Sequence, residues 1–197
     1  MRCGVKNVAY FFSKKETPAL WPFSNMAGGM PIRWRGILFN SSEQLYQASK
    51  YHPDTVCIPA VHKNKLGIEP HVQKRIIDAN NPRGAKMTQK CAVKAGLVRP
   101  DWPKIMVDCM LWVLELKLQQ NRHTFGEVLK STGSKMIVEK SSKDTFWGCI
   151  QEGDIFDGQN QLGLLLVKVR ENYDRTVKER QLTHPNGFLI LPEDMAA

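Results

Sequence analysis

The chain has 197 residues, 42% of them apolar, and its 28 Lys+Arg outnumber its 19 Asp+Glu for a net charge of +9. That balance suits one globular domain with a real core and excludes a disordered acidic chain, a collagen and a coiled-coil rod. No apolar run approaches the ~20 residues of a membrane span, and no apolar segment follows Met1-Arg2-Cys3-Gly4 as a secretory signal requires. The five cysteines (Cys3, Cys57, Cys91, Cys109, Cys149) never fall in a CxxC spacing, so the expectation is a cytoplasmic protein with reduced thiols. The Asn40-Ser41-Ser42 sequon is then a chance match.

Val8 to Phe12 reads as a short buried strand, broken by Pro18-Ala19-Leu20-Trp21-Pro22. Ile32-Arg33-Trp34 and Ile37-Leu38-Phe39 flank Arg35-Gly36 as a tight hairpin. Ser41 and Gln44 form a capping box that starts a helix over about Ser42 to Tyr51. Residues 52–68 hold Pro53 and Pro59 without periodicity and read as a loop or insertion. Val72, Ile76, Ile77 and Ala79 suggest a helix, and Asn81-Pro82 restarts another that stops near Gly96. Asp101-Trp102-Pro103 opens the longest helix, to about Asn121, whose wide apolar stripe makes it central and buried. Thr124 and Glu127 look like a second capping box, for a short helix ending at Thr132-Gly133. A strand at Met136-Ile137-Val138, an irregular polar stretch over 140–158 and a last helix carrying Leu162, Leu165, Leu166, Val169 and Tyr173 follow. Residues 174–197 read as an appendage.

Three segments could carry chemistry. Glu43, Gln47 and Lys50 stand at i, i+4 and i+7, within about 60° of one another on a helix, so one face presents a carboxylate, an amide and an amine. The same spacing describes an exposed polar face with one ion pair. Asp144-Thr145-Phe146-Trp147-Gly148 precedes Gly158-Gln159-Asn160-Gln161-Leu162-Gly163, a small-residue loop that leads into a helix, as phosphate sites do and as ordinary capping loops also do. Phe23-Ser24-Asn25 is a polar pair in an aromatic setting, by itself only a turn. Lys86, Lys90 and Lys94 recur at i, i+4 and i+8, a stripe that fits either a polyanionic partner or a solvated face. The five histidines show no HxxxH or HExxH spacing, and there is no P-loop, GxGxxG or GxSxG, so no metal or cofactor is expected.

Several motifs recur in a fixed order. They are Phe23-Ser24-Asn25, S-E-x-x-x-Q-x-x-K from Ser42 to Lys50, Asp101-Trp102, and Lys117-Leu118-Gln119-Gln120-Asn121. Thr132-Gly133, Glu139, D-x-x-W-G from Asp144 to Gly148, and G-x-N-x-L-G from Gly158 to Gly163 complete the set. The ordered set resembles the NADAR (YbiA-like) superfamily over about residues 8–173. The resemblance implies an α+β fold: a compact, mostly helical single domain with a small β-sheet, over 1–173, with 174–197 appended. It implies an enzyme that cleaves N-glycosidic bonds of ribosylated bases. One branch of the family removes ADP-ribose from guanine bases of nucleic acid, opposing a guanine-directed ADP-ribosyltransferase, which would be the cognate partner. The other branch hydrolyses a ribosylaminouracil phosphate of the riboflavin pathway.

Carried onto this sequence, Glu43, Lys50 and Asp144 become the catalytic candidates. Phe23, Ser24, Asn25, Gln47, Trp102, Trp147, Gly148, Gly158, Asn160 and Gly163 become the substrate-binding candidates. Trp102 and Trp147 would stack on a base or adenine, Asn25 and Asn160 would bind ribose hydroxyls, and Gly158 and Gly163 would admit phosphate to backbone amides. Met106 stands where the family often has a lysine, Ile150 where a glycine is expected, and 52–68 is longer than in the YbiA-like branch. The charge and the basic stripe favour the nucleic-acid substrate over the metabolite. A non-catalytic ADP-ribose reader and a plain nucleic-acid-binding protein are the readings from other classes.

Overall fold

A computed structural model describes residues 1–55, 71–179 and 182–185, so most of the 52–68 insertion lies outside the described residues. In chain order the elements are β1 (Arg2–Gly4), β2 (Val8–Phe11), β3 (Ile32–Trp34), β4 (Ile37–Phe39), α1 (Ser42–Ala48), α2 (Val72–Ile77), α3 (Pro82–Lys94) and α4 (Trp102–Gln120). They continue with α5 (Glu127–Ser131), β5 (Met136–Glu139), β6 (Ile150–Glu152), β7 (Ile155–Asp157), α6 (Gln161–Glu171) and α7 (Tyr173–Lys178). Helices dominate and the sheets are small, the α+β class expected from sequence. The chain divides into two units, Met1–Met30 with Leu114–Leu182, and Pro31–Val113 with Thr183–Ala197.

In the first unit β2 pairs in parallel with β5, Val8 opposite Met136 through Phe11 opposite Glu139. A separate antiparallel sheet runs β1-β7-β6. The hairpin of β6 and β7 corrects the irregular reading of 140–158. Its three-residue strands are too short to show alternation, but its Gly153-Asp154 turn, with Gly153 at φ 58°, was a legible hairpin signal. Phe23, at the end of a 3-10 turn over Pro18–Phe23, meets Phe11 and Phe125 edge-on at 5.7 and 6.2 Å. The second capping box does not form. Arg122–Gly126 winds as a π-turn into α5, so the backbone never takes the extended cap conformation, and the Thr124 hydroxyl donates to Asn121 O instead.

In the second unit the β3–β4 hairpin turns on Arg35 (φ 46°) and Gly36 (φ 85°), the paired left-handed residues of a type I′ turn. Ser41 Oγ caps α1 by accepting from Gln44 N, and Asn81 Oδ1 caps α3 by accepting from Gly84 N. On α4, Ile105, Cys109, Trp112 and Val113 are buried. Trp112 meets Trp34 and His184 edge-on at 5.0 and 4.6 Å. His184 lies 3.4 Å from Cys109 Sγ; burial pushes its imidazole down to about 4 and the Cys109 thiol up to about 12. Both groups are therefore neutral at pH 7, and His184 is a packing residue from the segment read as an appendage.

Candidate active site

α1 has only seven residues, too few to hold a helix alone, and all seven are buried. Gln44 supplies the anchorage. Its Oε1 accepts from Asn40 N at 2.7 Å, while its Nε2 donates to Ile76 O and Ile77 O at 2.9 and 2.7 Å, where α2 ends. Gln73 Nε2 donates to Tyr51 O at 2.7 Å, and Tyr51 donates to Gln89 O on α3 at 3.1 Å. Side-chain amides thus satisfy the backbone ends of short helices and hold α1, α2 and α3 as one block.

The polar face of α1 is inside this block, which overturns the solvated-face reading. Glu43 keeps only 8% of its side chain exposed. Its Oε1 accepts from Gln47 Nε2 at 2.8 Å and lies 3.9 Å from Lys86 Nζ of α3. That bond orients the Gln47 amide: Nε2 faces the carboxylate, and Oε1 is left buried with no hydrogen-bond partner among the described residues. Lys50 Nζ contacts Gln89 Oε1 at 3.4 Å and stands 5.4 and 5.6 Å from the ring centroids of Tyr46 and Trp102. Burial lowers the Lys50 ammonium below the ordinary lysine value; Glu43 opposes that shift and Lys86 adds to it. The block holds a carboxylate, an acceptor without a donor among the described residues, and an amine whose charged form burial disfavours.

Glu43, Gln47, Lys50 and Trp102 of the sequence-derived set therefore belong to the second unit together. Trp102 is the expected base-stacking ring of this group. It is 7% exposed and packs against Tyr46 and the Lys50 amine, so its ring sets the surroundings of the amine. Tyr46, Lys86 and Gln89 were missed as site residues. Lys86 carried a signal as part of the basic stripe, whereas Tyr46 and Gln89 carried none, because only the packing of α1 against α3 brings them to Lys50.

The remaining expected residues lie in the first unit. Phe23 is wholly buried among aromatic rings. Ser24 and Asn25 are nearly closed off, and Ser24 Oγ accepts from Met26 N. Beneath them lies Lys117, wholly buried, whose Nζ donates to Pro22 O and Ser24 O at 2.7 and 3.2 Å beside the Phe125 ring. Burial alone brings its ammonium down to about 7.

Asn160 is a correction. It is wholly buried at φ 55°, its Oδ1 accepting from Glu139 N and its Nδ2 donating to Ile137 O, so both amide atoms are committed to β5 and none is left for a ribose. Gly163, Gly148 and Gly158 are corrected with it. A Cβ on Gly163 would meet Ile137 O and Asn160, one on Gly148 would meet Glu139 O, and one on Gly158 would meet Gly148 O. These glycines let backbone pass close to backbone. The amides of Asn160, Gln161 and Leu162 already donate to the carbonyls of Gly148, Phe146 and Trp147. The depression beside Gly158 is bordered by Glu152 and Asp157, the wrong sign for phosphate. Asp144 is exposed, and its Oδ1 accepts from Phe146 N and Trp147 N, shaping the turn that presents a half-buried Trp147.

The architecture is that of a known α+β enzyme-sized domain. The NMR structure of the E. coli protein YbiA matches with a TM-score of 0.64 over 91% of this chain and 92% of that one, at 23% identity, a likeness of fold. The NADAR domain model matches residues 10–173, and the chain belongs to the NADAR domain family. An N-glycosidase of Nostoc punctiforme is 31% identical over 131 residues, 66% of this chain and 70% of that protein. The chloroplastic riboflavin biosynthesis proteins PYRR of Arabidopsis thaliana and Zea mays are 32% and 37% identical over 51% and 41% of this chain. The matched regions span only 16% and 12% of those two proteins.

Proposed function

We propose that this chain is an N-glycosidase that removes ADP-ribose from guanine bases of nucleic acid, reversing the work of a cognate guanine ADP-ribosyltransferase. The observation that carries the reading is the buried constellation of Glu43, Gln47 and Lys50, with an amide oxygen of Gln47 left without a donor among the described residues. Cleaving a ribosyl C–N bond builds positive charge at the anomeric carbon, which a desolvated carboxylate stabilises far better than a hydrated one. Glu43 fills that role. Gln47 Oε1 is an acceptor for a ribose hydroxyl. Lys50 acts in one of two ways. As an ammonium it polarises the leaving base and gives it a proton. As a free amine it attacks the anomeric carbon, forming a C–N bond while the bond to the base breaks. The base then leaves with the electron pair and gains a proton, and the opened sugar is held as a Schiff base that water hydrolyses to free ADP-ribose.

The charge of +9, with Lys86 beside Glu43, supports an anionic, nucleic-acid-linked substrate. A second reading is the same cleavage on a ribosylaminouracil phosphate, and relatives named as riboflavin biosynthesis proteins favour it. The test incubates the protein with an oligonucleotide carrying ADP-ribosyl-guanine and, separately, with the aminouracil nucleotide, using mass spectrometry to detect ADP-ribose or ribose 5-phosphate. Release of ADP-ribose is the expected result. Ribose 5-phosphate alone moves the assignment to the second reading, and binding of ADP-ribose with no release makes the protein a reader. Borohydride trapping in the wild type but not in Lys50→Ala identifies the Schiff-base route.

A further inference from the structure

Helix α3 carries Arg83, Lys86, Lys90 and Lys94 in thirteen residues and no acidic residue. All four cations are exposed, and only Ala85, Gln89 and Ala92 are buried. Lys90 and Lys94 have no acidic partner among the described residues. An ordinary solvated helix mixes signs, so that residues four apart attract. Here Lys86, Lys90 and Lys94 repel one another at successive spacings of four, and Arg83 and Lys86 sit in the first turns, where the helix dipole disfavours cations. The arrangement lowers the stability of the helix that displays it. Met87, 70% exposed, stands among Arg83, Lys90 and Lys94 at offsets of −4, +3 and +7, giving the charged face an apolar contact.

The side of α3 that adjoins this face meets the catalytic block. Gln89 contacts the Lys50 amine, and Lys86 stands 3.9 Å from the Glu43 carboxylate. The cationic ladder therefore begins at the reacting centre and leads away from it. At a rise of 1.5 Å per residue, Lys86 to Lys94 covers about 12 Å, enough for the ladder to reach more than one backbone phosphate.

We propose that the exposed face of α3 binds the sugar-phosphate backbone of the strand that carries the modified base, with Lys90 and Lys94 holding phosphates flanking the site. The inference rests on the proposed function for the modified base but not for the strand, since plain oligonucleotide tests the strand alone. The experiment measures Kd for an unmodified single-stranded oligonucleotide from 50 to 200 mM salt, and kcat/KM for two substrates: an ADP-ribosylated oligonucleotide and ADP-ribosyl-guanosine. Wild type, Lys90→Gln, Lys94→Gln, the double variant and a control at an exposed lysine elsewhere, Lys6→Gln, are compared. Each single α3 variant is expected to flatten the slope of log K against log salt by about 0.7, and the double variant by about 1.4. The double variant is expected to lose roughly tenfold or more in kcat/KM on the oligonucleotide while keeping wild-type turnover of ADP-ribosyl-guanosine. Lys6→Gln is expected to match wild type.

Unchanged salt slopes in the α3 variants, or equal losses on both substrates, overturn the inference. If the wild type releases ADP-ribose from neither substrate while the salt slopes change as expected, the substrate assignment falls and the strand-binding face stands. If both substrates are cleaved and the variants behave as wild type on the oligonucleotide, the face falls and the assignment stands.

Discussion

Two buried polar centres can be set side by side. In the first unit Asn160, Gly148, Gly158 and Gly163 lock α6 to β5 and to the irregular Phe146–Gly148 segment. In the second, Glu43, Gln47 and Lys50 meet Lys86, Gln89 and two aromatic rings. Both stand out in the sequence as polar residues in a fixed pattern, and both are buried. They differ in how completely their polar atoms are satisfied. Every side-chain polar atom of Asn160 ends on backbone, which is how a fold is held. The α1 centre instead holds a carboxylate, an amine whose charged form burial disfavours and an amide oxygen without a donor among the described residues, a costly state that the proposed chemistry would use. Burial alone does not separate a site from a structural lock; the proposed site differs in gathering a carboxylate, an amine and an open acceptor in one place.

The comparison is broken most directly at Lys50. Lys50→Ala is expected to lower kcat by roughly a thousandfold, within the range for a lost acid–base or nucleophilic group, while the thermal midpoint moves by only a few degrees. Glu43→Ala is expected to behave likewise, and unfolding of either variant would make the α1 centre a second structural lock. Asn160→Ala tests the other side. Losing two buried hydrogen bonds and a residue suited to positive φ is expected to destabilise by about 3 kcal/mol, lowering the melting midpoint by roughly 6 to 12 °C. The residual folded enzyme should keep its kcat.

Lys117 sharpens the contrast, because it is as buried as any residue of either centre. Its folded value of about 7 lies below that of the unfolded chain, so the unfolded state binds the extra proton between about pH 7 and 10. Below pH 7 both states are protonated and the burial penalty is present in full. As pH rises above 7 this group adds stability, up to about 1.4 kcal/mol per pH unit. Urea unfolding at pH 7, 8 and 9 is expected to show that rise in wild type and a flatter trend in Lys117→Met. The smallest effect is expected at Asp144, an exposed turn residue: Asp144→Ala should change stability by about 1 kcal/mol or less and kcat by only a few-fold. A loss as large as that of Lys50→Ala would make it a third member of the catalytic set.

Much of this was legible in the chain. Asn81-Pro82 announced α3, Arg35-Gly36 the hairpin turn, and Ser41 the cap of α1, because each signal is local: a side-chain acceptor, a fixed φ or a tolerated positive φ acts on the next few residues. Thr124 misled for the same reason, since its capping pattern is local but the backbone there is already wound in the Arg122–Gly126 π-turn. Glu43, Gln47 and Lys50 were legible as one face by periodicity. The sequence by itself determined most of the helices, the β3–β4 hairpin, the family motifs and the sign of the charge, properties written within one helix turn or summed over the chain. Only the tertiary structure decided that the α1 face is inside, that Tyr46, Lys86 and Gln89 complete it, and that Asn160 and its glycines serve the fold. Those outcomes depend on which donors and carbonyls from distant parts of the chain arrive beside each side chain, and no spacing along the sequence encodes that.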